Sequence, residues 1–600
     1  MECKVSDFLA SFLKEKKIDV VFGIIGAGNA NIFDAIARLG YTQIVCVHHE
    51  QAAVMAMQTY YRTTGKVTAA LLTTGAGSTN GVTGVVGAWM DSIPGVIISG
   101  NENSKFTTPE NPLRIWGVQG YDSVDMVKKV TKYANRLMDP KQIKYELEKS
   151  FSIASTNRPG PIWLDIPMNV QGMTINVQEL PSYTPDPIKP IDQSEVIAKV
   201  VEKLKSAKRP LLWLGHGIRL ADAQGLVAPF LDQLKIPALV SWAGIDIVDS
   251  DHPLVFGRAG VYGQRSANFV LQNCDFLLTI GTRLAIPQIG YDISELARAA
   301  EIAVVDIDCD EAKKHGDRIK YPICMDAKVF MTDLSKAFGN KAADCQAWID
   351  QCNLYKETFP WVGPEHKDTN GYINSYKFME RLCDYFKPNQ MVVTDMGTAL
   401  LSGHQVLKTK SAQRLMTSTG LGEMGHGLPA AIGCAFGNPK ADVLCLNCDG
   451  GMMMNLQELQ TIVHHNLPVK IVIFNNEGYL MIKHTQKALF EGRETSINKS
   501  SGMSCPDYTR VATAFGIPSF QIRTWSDFES VMPKVQSATG PVICEVFMDP
   551  EQYFVPKLGL VPKKDGSIVS PPLEDLSPLL SRDEMRKNMI IGLHPKSETL

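Results

Sequence analysis

Short apolar runs alternate with amphipathic stretches along nearly the whole chain. VVFGII, QIVCVH, TAALLTT and GVIISG come first, with helical patterns such as EQAAVMAMQTYYRTT between them. A short run that is apolar at every position predicts a strand covered on both faces, and strands separated by helices predict parallel sheets wrapped by helices. PLLWLG, PALVSW, FLLTIG and IAVVDID repeat the pattern in mid-chain, and MVVTD, VLCLNC, KIVIFNN and VICEVF repeat it a third time. The expected fold class is therefore α/β, with three doubly wound parallel-sheet domains.

Between the first two blocks lies LPSYTPDPIKPIDQ, whose prolines lack amide donors and favour extended backbone, as in a linker. The expected divisions are 1–180, 190–345 and 365–555, followed by a tail at 556–600. That tail contains VSPPLEDLSPLL, shows no strong period, and is expected to lie over a surface.

Composition narrows the chemistry. With 600 residues, 60 basic against 63 acidic side chains and a net charge of −3, the chain has no electrostatic footprint for nucleic acid or anionic lipid. It also has no run of the roughly 18 apolar residues that a membrane span needs. Small-molecule chemistry is expected, with neither nucleic acid nor membrane as partner. The amphipathic start, MECKVSDFLASFLKEKK, reads as the first helix of a domain, and 13 cysteines without scaffold spacing fit a reducing compartment. The expected location is cytoplasmic. Cys445 and Cys448 form a CxxC, but no second pair stands at ligand spacing and both lie in an apolar run, so buried strand residues are expected rather than a zinc site.

The segment CDGGMMMNLQELQTIVHHNLPVKIVIFNN carries the sharpest chemical signal. Asp449 follows one expected strand and Asn476 ends the next, one strand-helix-strand crossover later. Both would emerge at the carboxyl edge of adjacent parallel strands, where open α/β sheets bind ligands. A carboxylate, an amide oxygen and a backbone carbonyl are hard donors suited to Mg²⁺, which shares its shell with phosphate oxygens. Gly450 and Gly451 permit close backbone approach, and a helix expected to start near Met453 would offer its N-terminal amides to an anion.

CDG, some thirty residues, then NN resembles the GDG…NN signature of thiamine-diphosphate-dependent enzymes, with Cys448 in place of the first glycine. VHHEQAA, RPGPIWLDIP, GLGEMGHGLPAAIG and MNLQELQT resemble the acetolactate-synthase-like group of that family over most of the chain. The resemblance implies pyrimidine-binding, central and diphosphate-binding domains. It places metal ligation on Asp449, Asn476 and the main-chain oxygen of Gly478, and extends the cofactor set to Gly397, Thr398 and Tyr479.

It further implies that Glu50 exchanges a proton with the cofactor's aminopyrimidine, that the Gly422 carbonyl meets the 4′-amino group, and that Met424 is the wedge beneath the two rings. Gln119 and His49 resemble catalytic-site neighbours. Arg158, Gly215, Arg283 and Asp306 resemble a flavin site, although RLAI stands where the synthases have RFDD. GLGEMG also satisfies GxGxxG, but Asp442, at about the right distance, precedes the next strand instead of ending it. That leaves a nicotinamide-dependent oxidoreductase as the remote alternative.

The implied activity is a carboligase that decarboxylates a 2-oxo acid, with pyruvate as first donor, and transfers the remainder to a second carbonyl. A 2-oxo acid, a ketone and a keto-sugar are the candidate acceptors, and a decarboxylase that releases aldehyde is the alternative. Thiamine diphosphate, Mg²⁺ and FAD are the implied cofactors. A homodimer or homotetramer with the active site between subunits is the implied assembly.

Overall fold

The computed structural model describes all residues except 1, 108–112, 188–191, 411 and 563–567, so part of the proline-rich linker and part of the tail lie outside the described residues. Three parallel sheets form the framework. The strands of the first are Val20–Gly23, Gln43–Cys46, Ala69–Leu72, Gly95–Asn101, Tyr133–Arg136 and Pro161–Pro167. Five central strands follow between Pro210 and Cys324, and six more run from Met391–Thr394 to Val542–Phe547.

Numbered in chain order within each sheet, the first and third sheets share one spatial order, 2-1-3-4-6-5, and the central sheet reads 2-1-3-4-5. Every pairing within the three is parallel. All three sheets thus reverse direction between their first and third strands, and a crevice opens there at the carboxyl ends. Into these crevices run the glycine-bearing turns GAGNAN and GAGSTNG, LGHGIR and GTR, and MGT and CDGG.

The strands carry continuous apolar runs because both faces are covered. Val443–Cys448 is buried at every position, and its side chains divide between two cores. Cys445 joins the core that includes the helix Glu50–Thr64, whereas Cys448 joins the core on the opposite face with Phe378 and Leu400. Residues three apart on a strand point to opposite faces, so the CxxC thiols do not converge.

Cross-domain contacts fix the site. The helix Glu50–Thr64 lies against the helix Gly427–Gly437, with Thr59 Oγ1 donating to the Ala430 carbonyl at 2.9 Å. Arg62 donates from Nη1 to the Thr417 carbonyl at 2.5 Å. Asp246 ties the central and third sheets together, accepting from Arg219 at 3.0 Å and from Arg414 at 2.7 Å.

The tail departs from expectation. It penetrates the central unit instead of lying on a surface: Leu573, Met585 and Met589 join its core, and Glu574 and Leu576 are fully buried. The reason lies in the helix Arg265–Asn273, buried at all nine positions although it carries polar residues. Those side chains need partners, and the tail supplies them. Asn268 donates to the Leu573 carbonyl, Gln272 to the Glu574 carboxylate, and Asn273 to the Asn588 carbonyl. Cys309 and Cys324 are joined as a disulfide, where thiols throughout were expected. Among the described residues no helix is long and apolar enough to cross a membrane.

Candidate functional site

Asp449 and Asn476 do meet at the carboxyl edge of adjacent strands. The Asp449 carboxylate is 1% exposed and accepts three backbone N–H groups, from Gly450 at 2.7 Å, Gly478 at 2.9 Å and Asn476 at 3.1 Å. Burial pushes its carboxyl up to about 7 in spite of those donors. The Asn476 amide reaches the Gly478 carbonyl at 2.6 Å and takes the Thr398 hydroxyl at 2.9 Å. One carboxylate, one amide and one carbonyl therefore crowd a single spot, and among the described residues no cationic side chain is bonded to it. Among the described residues no three His, Cys, Asp or Glu side chains gather as a metal cluster, so a cation here would rest on one charged and several neutral oxygens. That donor set suits Mg²⁺.

The turn beside it differs from expectation. Helical backbone begins at Asp449 itself as the short turn Asp449–Met452, and the longer helix starts only at Glu458. Two consecutive glycines let the chain coil as soon as it leaves the strand. A Cβ on Gly450 would stand 2.4 Å from the Tyr479 ring and 3.2 Å from Met424 Cε. Gly450, Tyr479 and Met424 are thereby brought together, and Gly397 leads directly into the helix Thr398–Val406 across the crevice.

Sequence reasoning overlooked Asp395, which organises this neighbourhood. It stands at the end of MVVTD, fully buried, and both carboxylate oxygens accept the Gly425 N–H at 3.1 Å. Burial pushes its carboxyl up to about 6. A Cβ on Gly451 would meet Asp395 Oδ2, so one acid joins the GLGEMG loop to the diphosphate turn. The signal was present, since an acid ending an apolar strand is a ligand-edge residue. Gly422 packs on Met396. Asp442 pairs with Lys387 and, at 3.6 Å, with Lys470, at the amino-terminal end of its strand. It is therefore remote from any ribose at the carboxyl edge.

The second cluster surrounds Glu50. His49 caps the helix Glu50–Thr64, its Nδ1 accepting the Gln51 N–H at 3.2 Å. Glu50 is buried, and its carboxylate accepts from Asn80 Nδ2 at 3.0 Å. Gln119 is exposed and packs against Gly75. The GAGSTNG turn therefore borders both Glu50 and Gln119. The loop before Glu50 is held by Glu458, which accepts the His48 N–H at 3.0 Å and the Thr461 hydroxyl at 2.8 Å. Glu458 lies in MNLQELQT, a stretch that carries the family resemblance but to which no role was given. His464 is exposed and His465 half-buried.

A cavity of about 1280 Å³ lies where the three sheets' loops approach one another, and Arg158, Arg283 and Asp306 all line it. Gly215 sits behind that wall, packed on Gly281. Arg158 reaches Asp308 and Glu311, both at 3.0 Å, and burial pushes the Asp306 carboxyl up to about 6. His216 adds an imidazole with neither ring nitrogen hydrogen-bonded, held down to about 3 by burial. The far wall is Met396, Leu400 and Met481, so the cavity reaches the side chain that touches Gly422.

Three family models match this chain: the N-terminal TPP binding domain of thiamine pyrophosphate enzymes over residues 3–125, their central domain over 197–334, and their C-terminal TPP binding domain over 395–546. Among curated relatives, an acetolactate synthase large subunit of Porphyra purpurea is 30% identical over 543 residues, 88% of this chain and 89% of the relative. The acetolactate synthase isozyme 1 large subunit of Escherichia coli K12 is 29% identical over 554 residues, covering 92% and 95%. A probable acetolactate synthase large subunit of Methanococcus aeolicus is 29% identical over 561 residues, covering 90% and 91%.

Proposed function

The chain belongs to the thiamine pyrophosphate enzymes, and from that premise we propose that it is a carboligase. It decarboxylates a 2-oxo acid, pyruvate first, and transfers the two-carbon remainder to a second carbonyl. The observation that carries this reading is the buried oxygen spot of Asp449, Asn476 and Gly478 at a sheet crevice, where a desolvated carboxyl has no cationic partner among the described residues. A bound Mg²⁺ would supply that partner and tie the diphosphate to it.

Thiamine diphosphate, when bound, supplies a nucleophilic carbon and an electron sink for the loss of carbon dioxide. The chain's own residues do the rest. Asp449, Asn476 and the Gly478 carbonyl would hold the cation, and the glycine turns at Gly397 and Gly450–Gly451 would make room for the diphosphate. Met424 and Tyr479, which meet over Gly450, would border the cofactor, and the Gly422 carbonyl would take its amino group. Glu50 holds and returns a proton at its carboxyl oxygen. Gln119, exposed beside Gly75, is poised to meet substrate, while His49 serves the site by capping the helix that presents Glu50.

The assembly proposed is a homodimer or dimer of dimers, in which Glu50 of one subunit faces the Asp449 cluster of another. FAD is the proposed occupant of the large cavity. Two phosphate-facing residues fit it, Arg158 and Arg283, provided an incoming anion displaces Asp308 or Glu311 from Arg158.

The test is carbon dioxide release from a panel of 2-oxo acids, with and without Mg²⁺ and thiamine diphosphate, followed by analysis of the products. Ligated products that depend on an added acceptor support the proposal. Aldehyde as the sole product would replace it with a simple decarboxylase, and efficient acetolactate formation from pyruvate alone would count against a dedicated larger acceptor such as a ketone or keto-sugar. A visible spectrum of the purified protein settles the flavin.

A further inference from the structure

The two oxygens of the Glu50 carboxylate have different surroundings. Oε2 accepts a hydrogen bond from Asn80 Nδ2 at 3.0 Å. Oε1 has no hydrogen-bond partner among the described residues, and it lies 3.1 Å from where a Cβ on Gly77 would stand. A side chain at 77 would crowd that oxygen, and glycine leaves it room. One oxygen is pinned and the other is free to face a ligand.

Building on the proposed role of Glu50, we propose that Asn80 is a positioning residue that selects which carboxylate oxygen meets the cofactor ring. A glutamate at the first position of a helix has several rotamers open to it, and a single directional donor on Oε2 singles out one of them. An amide suits the task because it has no titrating proton: it fixes the direction of the carboxyl without competing for the proton that Oε1 exchanges. A lysine at the same place would hold the carboxylate as an ion pair instead.

The donor is itself held. Asn80 ends the turn Ala76–Asn80, in which the Ser78 hydroxyl donates to the Gly75 carbonyl at 2.9 Å and also bonds the Tyr121 hydroxyl. The Tyr121 carbonyl accepts from Arg136, whose guanidinium is paired at 2.9 Å with the buried Asp165. A chain of contacts therefore runs from the sheet interior to the amide that touches Glu50. The loop that leads into Glu50 is held by Glu458 of the helix Glu458–His464, which accepts the His48 N–H, and the experiment leaves His48, His49 and Glu458 unaltered.

Exchange of the C2 hydrogen of bound thiamine diphosphate for deuterium, read by quenched proton NMR with Mg²⁺ saturating, reports the proton transfer without substrate. Calorimetry reads cofactor affinity separately. Asn80→Ala is expected to slow exchange at least about 10-fold, below the 10²–10⁴-fold typical for loss of the proton-transferring group itself, while affinity changes less than about threefold. Asn80→Asp keeps the shape but replaces the donor with a like charge, and is expected to slow exchange further, which also covers an Ala variant that fails to fold.

Parental exchange rates in the folded variants, or affinity losses equal to the exchange losses, would overturn the proposal. Glu50→Gln separates the two levels: if it too exchanges at the parental rate, the reading of Glu50 fails and not merely the part given to Asn80.

Discussion

Glu458 makes the stability of the protein depend on pH. Its carboxyl is fully buried beneath the loop that leads into Glu50, and burial pushes it from 4.5 up to about 7, although the Thr461 hydroxyl and the His48 amide pull the other way. An acid that holds its proton more tightly when folded favours the fold below pH ~4.5 and loses that contribution as the pH rises through 7. At 1.36 kcal/mol per pH unit, the ionised form costs about 3 kcal/mol at pH 8 and about 1 kcal/mol at pH 5. Glu458→Gln removes the charge and keeps both contacts, because its carbonyl accepts from His48 and its amide donates to the Thr461 hydroxyl after that rotor turns.

The variant should therefore melt above the parent at pH 8. At roughly 2–4 °C per kcal/mol for a domain of this size, the shift is about 6–12 °C, falling to about 2–4 °C at pH 5. Scanning calorimetry of the cofactor-free protein at both pH values, at one ionic strength, checks it. Equal shifts at the two pH values, or a variant less stable than the parent at pH 8, would refute the reasoning.

Three further outcomes are expected. Gly450→Ala places a methyl 2.4 Å from the Tyr479 ring, and the overpacking should weaken thiamine diphosphate binding about 10- to 100-fold in calorimetry and lower the stability of the cofactor-free protein by about 1–3 kcal/mol. Asp246→Ala strands Arg219 and Arg414 and should lower the stability of the interdomain contact by about 3–5 kcal/mol in urea denaturation. Burial opposes ionisation of Asp246, but the two arginines outweigh it and hold its carboxyl well below the usual range. That contribution is present above pH ~4 and fades as the pH falls below it, so the gap between parent and variant should narrow in acid. Ending the chain after residue 572 should leave the helix Arg265–Asn273 with several unmet buried donors, each costing about 1–3 kcal/mol, and limited proteolysis should then cut the central unit first.

Strands with continuous apolar runs, such as VLCLNC and KIVIFNN, were legible because burial on both faces leaves no polar position to blur the pattern. Short or half-exposed strands were not: Tyr133–Arg136 carries no apolar run, and its residues are half-buried at an edge. The pairing of Asp449 with Asn476 followed from crossover spacing alone, since parallel strands bring their ends to one rim. The contacts of Asp395, Asn80 and Glu458 were not legible, although GAGSTNG and MNLQELQT stand out as stretches, because each acts on a backbone or side chain distant in sequence and one chain read linearly does not show which loops meet. The tail misled for a different reason. Its buried acids Glu574 and Asp575 look like surface residues until Arg298 and Arg582 are found beside them.

That tail also sets the order in which the molecule can be completed. Asn268 waits for the carbonyl of Leu573, 305 residues further on. At about 5–20 residues per second of ribosomal synthesis, the wait is roughly 15–60 s. Throughout it, a helix that ends up entirely enclosed must stand open on the nascent chain, so the middle third of this protein matures last although it is not made last.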